Sequence, residues 1–444
     1  MPVANIHEFS FRKPYRSGDY GFLDKLVHGK SIVQLGEAVH VTREFPLVKL
    51  SLIQYLHEEK GFDLLAFEGS LLQAWIAQDL MYLQRNDEAD IAAQVQELAL
   101  FPLYQSAEMR RVIEYVIASQ STENPLYLTS FDVQHARCRA FQGSIESAVE
   151  SFVGALQRHN PTFYSSFITR WRTAEGLQMR NQSDLEALIE DIELWISGIS
   201  HQVGVASGLI HAKALSCIPL SLRNGFRLFE KDEAGGEYGE FREYISARNV
   251  LELRNCVSES GKVMVWAHHR HVSRNSTSKN GCSMGYYLSQ TTGDELLTIG
   301  LFAGGGHAFE VNDRKFPYLV PRRLRPSREY GVERQLSAAS THDFLLDLLP
   351  LSVLDSAWSE ATFSRIETRQ RCPTSLAGDF DAAIFIQTVH PATLTFLPRY
   401  LLILLTIYGF LLDQILWFTA LLAQTAISFL PDSESPNYTN HAKE

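Results

Sequence analysis

Six side chains in this sequence have the types and neighbourhoods of hydrolytic chemistry: Glu37 and His40, three residues apart, then Glu68, Asp132, His268 and His271. A histidine flanked by carboxylates suits general-base activation of water, because an unperturbed imidazole titrates near neutral pH. Glu37 or Glu68 could hold His40 in one tautomer and raise its basicity. A second histidine or an arginine could stabilise the oxyanion that forms when water attacks an ester carbonyl. No serine nucleophile of the α/β-hydrolase kind is expected. The same donors also allow a zinc or iron site built from His268 and His271 with His40, Glu37 and Glu68. His268 and His271 point to opposite faces of a strand, so sharing one site requires that strand to end by about residue 269.

These residues sit where apolar runs stop. Residues 31–40 place Ile32, Val33 and Leu35 ahead of Gly36, Glu37 and His40, and residues 63–70 end in Glu68 and Gly69. Residues 126–134 finish with Asp132 and Gln134, and 262–271 run from Val263 and Trp266 into three histidines. Such runs read as buried strands, and parallel neighbours would bring their polar termini to one sheet edge, where open α/β sheets bind ligands. Two further runs, 296–302 and 382–388, lack a polar terminus, and Gly304 to Gly306 read as a loop after the first. Apolar residues three and four apart predict helices over 42–60, 71–85, 104–119, 139–158 and 182–205, and another over about 238–258 that carries Arg248. The fold class expected is α/β, with a mostly parallel central sheet flanked by helices. Residues 1–138 and 259–394 form the two parts of the core, 139–258 a helical insertion lining the cleft, and 395–444 a hydrophobic C-terminal tail.

Composition narrows the partners. A net charge of −11 and a pI near 5.8 argue against a general nucleic-acid binder, which needs a basic face. Five scattered cysteines without a Cys-x-x-Cys pair suit free thiols in a reducing, cytoplasmic setting, and the first thirty residues lack the apolar core of a secretory signal. From Tyr400 to Leu430 nearly every residue is apolar, with Asp413 and Gln414 in the middle. A helix of that length, about 45 Å, reads as a C-terminal membrane anchor, as two short helices breaking near Asp413, or as an apolar helix packed on protein. The anchor is the reading its length favours.

The residues in order resemble the erythromycin esterase family. The resemblance is carried by Gly36-Glu37-Ala38-Val39-His40, Thr42-Arg43-Glu44-Phe45, Phe67-Glu68, Phe131-Asp132-Val133-Gln134, Trp266-Ala267-His268-His269-Arg270-His271, Met284-Gly285 and Phe380-Asp381-Ala382. Arg248 and Asn255 stand for that family's Arg-Asp-x-x-Met-Ala-x-Asn helix. The resemblance implies hydrolysis of a cyclic ester, without a covalent acyl-enzyme and without a cofactor, as in antibiotic inactivation. It makes His40 the base that activates water, surrounds the carbonyl with Glu37, Glu68 and His268, and assigns Arg248 to the oxyanion. Lys49, Asp132 and His271 would bind a small-molecule ester or macrocyclic lactone. His269 replaces the family's usual Asn. The rival readings are a metal-dependent hydrolase or peptidase of the same superfamily and a non-catalytic haem- or ligand-binding protein.

Overall fold

The computed structural model describes residues 6–8, 15–71, 88–132, 238–309, 321–324, 331–349 and 362–395, apart from 101, 276, 279, 280, 367 and 369, together with Ala74 and Glu190. A nine-stranded sheet organises them. In chain order its strands are β1 (Ile6–Glu8), β2 (Ile32–Glu37), β3 (Leu64–Ser70), β4 (Tyr127–Asp132), β5 (Val263–His268), β6 (Leu296–Phe309), β7 (Pro321–Arg323), β8 (Phe344–Asp347) and β9 (Ala382–Val389). The spatial order is β1-β8-β9-β6-β2-β5-β3-β4, with β7 added to β6. From β9 through β4 every pairing is parallel. The pairings of β1, β8 and β7 are antiparallel and lie outside this run.

The helices relevant to the site are α1 (Glu44–Lys60), α2 (Glu88–Ala99), α3 (Ala107–Ser119), α4 (Tyr238–Cys256), α5 (His269–Val272) and α6 (Met284–Thr292). Because successive side chains of a strand alternate faces, one sheet supports two cores. Val33, Leu35, Leu65, Phe67, Met264 and Trp266 pack with α1, α2 and α3 residues such as Phe45, Val95 and Val112. Ile32, Leu64, Ala66, Val263 and Val265 face the other way, onto Val250 and Leu253 of α4 and Met284 and Leu288 of α6. Both faces of β2 and β5 are buried throughout, as expected of central parallel strands whose sequence is nearly all apolar.

Gly304 to Gly306 are not a loop: β6 continues through them to Phe309, with Gly305 and Gly306 paired to Thr388 and Val389. Gly306 adopts φ 108°, and a Cβ there would lie 1.9 Å from the Val389 carbonyl oxygen, so close backbone approach requires glycine. The helices expected over 139–158 and 182–205, hence most of the proposed insertion, lie outside the described residues. So does Tyr400 to Leu430. Among the described residues no helix is long and apolar enough to cross a membrane, and the expected anchor finds no support there.

Candidate active site

The carboxyl ends of β2, β5, β3 and β4 lie side by side, and each delivers one polar residue: Glu37, His268, Glu68 and Asp132. Register makes Glu37 and His268 direct neighbours. The chain leaves β2 in a tight turn, and His40 swings back so that its Nδ1 lies 2.7 Å from Glu37 Oε1. The other oxygen, Oε2, accepts a hydrogen bond from Lys49 Nζ at 2.7 Å. Lys49 is fully buried one turn inside α1, its ammonium 4.3 Å from the centre of the Trp266 ring. It is therefore no surface lysine snorkelling from a helix. Burial draws Lys49 down to about 8 despite Glu37. Against the burial that would raise it, Lys49 and the His40 hydrogen bond hold the Glu37 carboxyl below its ordinary range. An ionised Glu37 accepting from Nδ1–H fixes the His40 tautomer and puts the basic lone pair on Nε2.

The turn is strained where it carries the imidazole. Val41 has φ 53°, the one positive value for a non-glycine among the described residues. For a β-branched residue this costs roughly 1–3 kcal/mol and persists only where surroundings enforce it. The segment after β9 does so. Ala392 N–H donates to Val41 O at 3.1 Å, Arg43 N–H to His390 O at 2.8 Å, and Thr42 bridges Pro391. His390 is anchored in turn by Glu44, whose oxygens accept its backbone N–H and face its Nδ1, both at 2.7 Å.

Strand β5 ends at His268, and the short helix α5 begins at His269, so His271 rotates back to the side from which a strand would have turned it away. His268 and His40 lie with ring centres 4.8 Å apart. The His268 Nδ1 accepts from Arg270 N–H at 3.2 Å, and Nε2 lies 3.2 Å from Ala38 O, which specifies the Nε2–H tautomer. Burial and the neighbouring His40 push His268 well below its usual range, so it stays neutral. His271 has the opposite environment. Its Nε2 lies 3.0 Å from Glu68 Oε1 and its Nδ1 2.6 Å from Glu243 Oε1, and despite burial these carboxylates raise it to about 10. Against its own burial, His271 in turn keeps Glu68 well below the usual carboxylate range, with Glu68 Oε2 accepting from His268 N–H at 3.0 Å.

The expected role of Arg248 is not supported by its position. Arg248 is on an exposed face of α4 and makes none of these contacts. Arg242, six residues earlier, carries them: its Nε lies 3.0 and 3.2 Å from the two Asp132 oxygens, its Nη2 pairs with Asp132 Oδ2, and Nη2 stands 3.7 Å from Glu68. Arg242 and Asn249, seven apart, share a helix face, and Asn249 Nδ2 donates to Phe131 O at 2.8 Å, setting the helix on the end of β4. The signal was present. Arg242-Glu243-x-x-Ser246-Ala247-x-Asn249 matches Arg-Asp-x-x-Met-Ala-x-Asn at four positions with one acid for another, whereas Arg248 to Asn255 matches only at its ends. Glu243, which holds His271, was missed with it. The spacing Gly-x-Ser-x-Gly does occur, at Gly281 to Gly285, but Ser283 caps α6 through Tyr286 N–H and donates to the Ser273 carbonyl, so it is not poised as a nucleophile.

The chain matches the family model "Erythromycin esterase" over residues 57–389, three quarters of its length. The chain belongs to the erythromycin esterase family. It is 24% identical over 355 residues to YbfO of Bacillus subtilis (strain 168), covering 74% of this chain and 77% of that one. It is 21% identical over 356 residues to erythromycin esterase type II of Escherichia coli, covering 74% and 83%. A solved structure of an erythromycin esterase EreC mutant in its open conformation shares the fold, with TM-score 0.60 and 16% identity over 88% of this chain and 100% of that one. Membership of this hydrolase family agrees with the chemistry of the site. Among the described residues no group of three or more His, Cys, Asp or Glu is arranged to hold a metal ion, and the nitrogens of His268 and His271 are each engaged with protein groups.

The two arginines can be told apart by experiment. Arg248→Ala leaves turnover unchanged and stability within about 0.5 kcal/mol, as for most surface substitutions. Arg242→Ala takes the bidentate partner from the fully buried Asp132 carboxylate and lowers stability by roughly 3–5 kcal/mol. Parallel thermal unfolding of the two variants checks this; equal loss in both would remove Arg242 from the site.

Proposed function

We propose that this protein hydrolyses a carboxylic ester or lactone, with macrolide macrocycles as the leading substrate class, by water that His40 activates. The supporting observation is the chain of contacts Lys49, Glu37, His40, which sets a buried imidazole in the tautomer whose Nε2 accepts a proton. Water would lose a proton to Nε2 as its oxygen bonds to the carbonyl carbon, giving a tetrahedral oxyanion. Collapse would break the bond to the alkoxy oxygen, which recovers the proton from His40, leaving an acid and an alcohol. Neutral His268, beside His40, keeps a second positive charge away from the base and so favours proton uptake by His40. The Arg242–Asp132 pair and the Glu68–His271–Glu243 triad would hold the substrate side of the cleft in shape.

The macrolide reading draws on the named Escherichia coli relative, and the general ester reading on the geometry. Incubating the purified protein with erythromycin, other macrolides and simple lactones tests both. The expected product carries the mass of substrate plus one water and is a ring-opened hydroxy acid. Absence of hydrolysis across the panel would overturn the proposal.

A further inference from the structure

Among the described residues the charged donors nearest His40 each have a carboxylate partner: Lys49 is on Glu37, Arg242 on Asp132, and His271 lies between Glu68 and Glu243. Their positive charge is already offset, which turns attention to neutral donors for the developing oxyanion. A recess beside Glu37 is lined by Thr42, Tyr104, Ser106 and Trp266 together with apolar residues. Among the described residues three of its buried polar atoms have no hydrogen-bond partner: Thr42 Oγ1, Tyr104 Oη and Trp266 Nε1. Buried hydroxyls are nearly always bonded, and an unbonded one lowers stability.

Tyr104 is the most informative of the three. It is 4% exposed, and its ring meets Phe67, Trp266 and His40 edge-on, with centre separations of 5.8, 6.3 and 6.5 Å. Phenylalanine would make all three contacts. Its backbone is held in place: Gln96 Nε2 in α2 donates to Tyr104 O at 2.8 Å and to Ser106 O at 2.7 Å. The packing thus explains the ring and leaves the hydroxyl unexplained.

We infer that the Tyr104 hydroxyl is a catalytic hydrogen-bond donor that takes the carbonyl oxygen of the ester and strengthens its bond as that oxygen becomes anionic. This rests on the ester-hydrolase reading above. Burial and the nearby Glu68, Glu37 and Asp132 carboxylates raise Tyr104 well above the ordinary phenol range, so it keeps its proton.

The test is Tyr104→Phe in the full-length protein, assayed with erythromycin and with a 4-nitrophenyl ester beside wild type and His40→Ala. The expected result is a fall in kcat of about 10²–10³ with KM changed only a few-fold, the usual effect of losing one oxyanion donor. The melting temperature should rise on the order of 1–3 °C, because an unbonded buried hydroxyl is removed. A structural tyrosine predicts the reverse: lowered melting temperature and unchanged kcat. Either of those results overturns the inference, and does so alone if His40→Ala is inactive while wild type and Tyr104→Phe are equally active. A wild type that hydrolyses no ester removes the underlying reading and this inference with it.

Discussion

His40→Ala lowers ester turnover by about 10²–10⁴, the usual contribution of a general base, in a protein that still folds. The size follows from what is lost and what stays. The substitution removes the atom that accepts the proton of water but leaves Lys49 and Glu37 paired at 2.7 Å and leaves the cleft behind them. His40→Asn should behave alike, since an amide can occupy the hydrogen bond to Glu37 Oε1 but cannot take up a proton at neutral pH. Steady-state kinetics on each variant, with circular dichroism to confirm folding, provide the check. Wild-type turnover in folded His40→Ala would assign the chemistry to another group.

Glu68→Ala lowers stability by roughly 3–5 kcal/mol, the range for breaking a buried ion pair by removing one partner. Glu68 is 8% exposed and meets three donors: His268 N–H, His271 Nε2 and, at longer range, Arg242. Its removal leaves two cations facing a neutral void. The effect depends on pH in a way that follows from the two shifts. Glu68 is held below its ordinary value of 4.5, so its contribution is present above that pH and is lost on acidification through the lowered folded value. His271 is raised from 6.5 to about 10, so its contribution is complete below pH 6.5 and fades as pH climbs towards 10. The wild-type advantage over Glu68→Ala should therefore be greatest between about pH 4.5 and 6.5 and shrink on both sides. Melting temperatures of the pair from pH 3 to pH 10 measure it; a pH-independent difference would show that Glu68 acts by packing and not by charge.

Much of the site was legible because chemistry and position coincide along the chain. Apolar runs end in Glu37, Glu68, Asp132 and His268, and a parallel sheet collects such ends on one edge whatever the lengths between them. What could not be read was side-chain direction within helices. Arg248 and Arg242 lie on one helix, and their six-residue separation turns them about 120° apart; the motif match from Arg242 to Asn249 favours Arg242 in the sequence, and the register set by Asn249 on Phe131 shows which way it faces. Glu243 and Tyr104 were overlooked for a similar reason: a helix glutamate and a connector tyrosine usually face solvent or core, and only their neighbours show otherwise.

The antiparallel additions at the sheet's edge were also illegible. β1 and β8 are three and four residues long, too short for any periodicity to show. The clamp of residues 390–392 on the His40 turn is built mainly from backbone hydrogen bonds, which leave little trace in side-chain type.

In the sequence by itself, the motif resemblance pointed to the family and implied the proposed base, and the apolar runs implied the parallel core, because burial patterns and the order of polar strand ends are properties of residue type and spacing. Only the tertiary structure decided which arginine pairs with Asp132, which histidine is kept neutral and which charged, and that Lys49 is buried. Those outcomes depend on distances between groups far apart in the chain. An identical imidazole becomes His268 or His271 according to whether its neighbours are another ring and a carbonyl or two carboxylates.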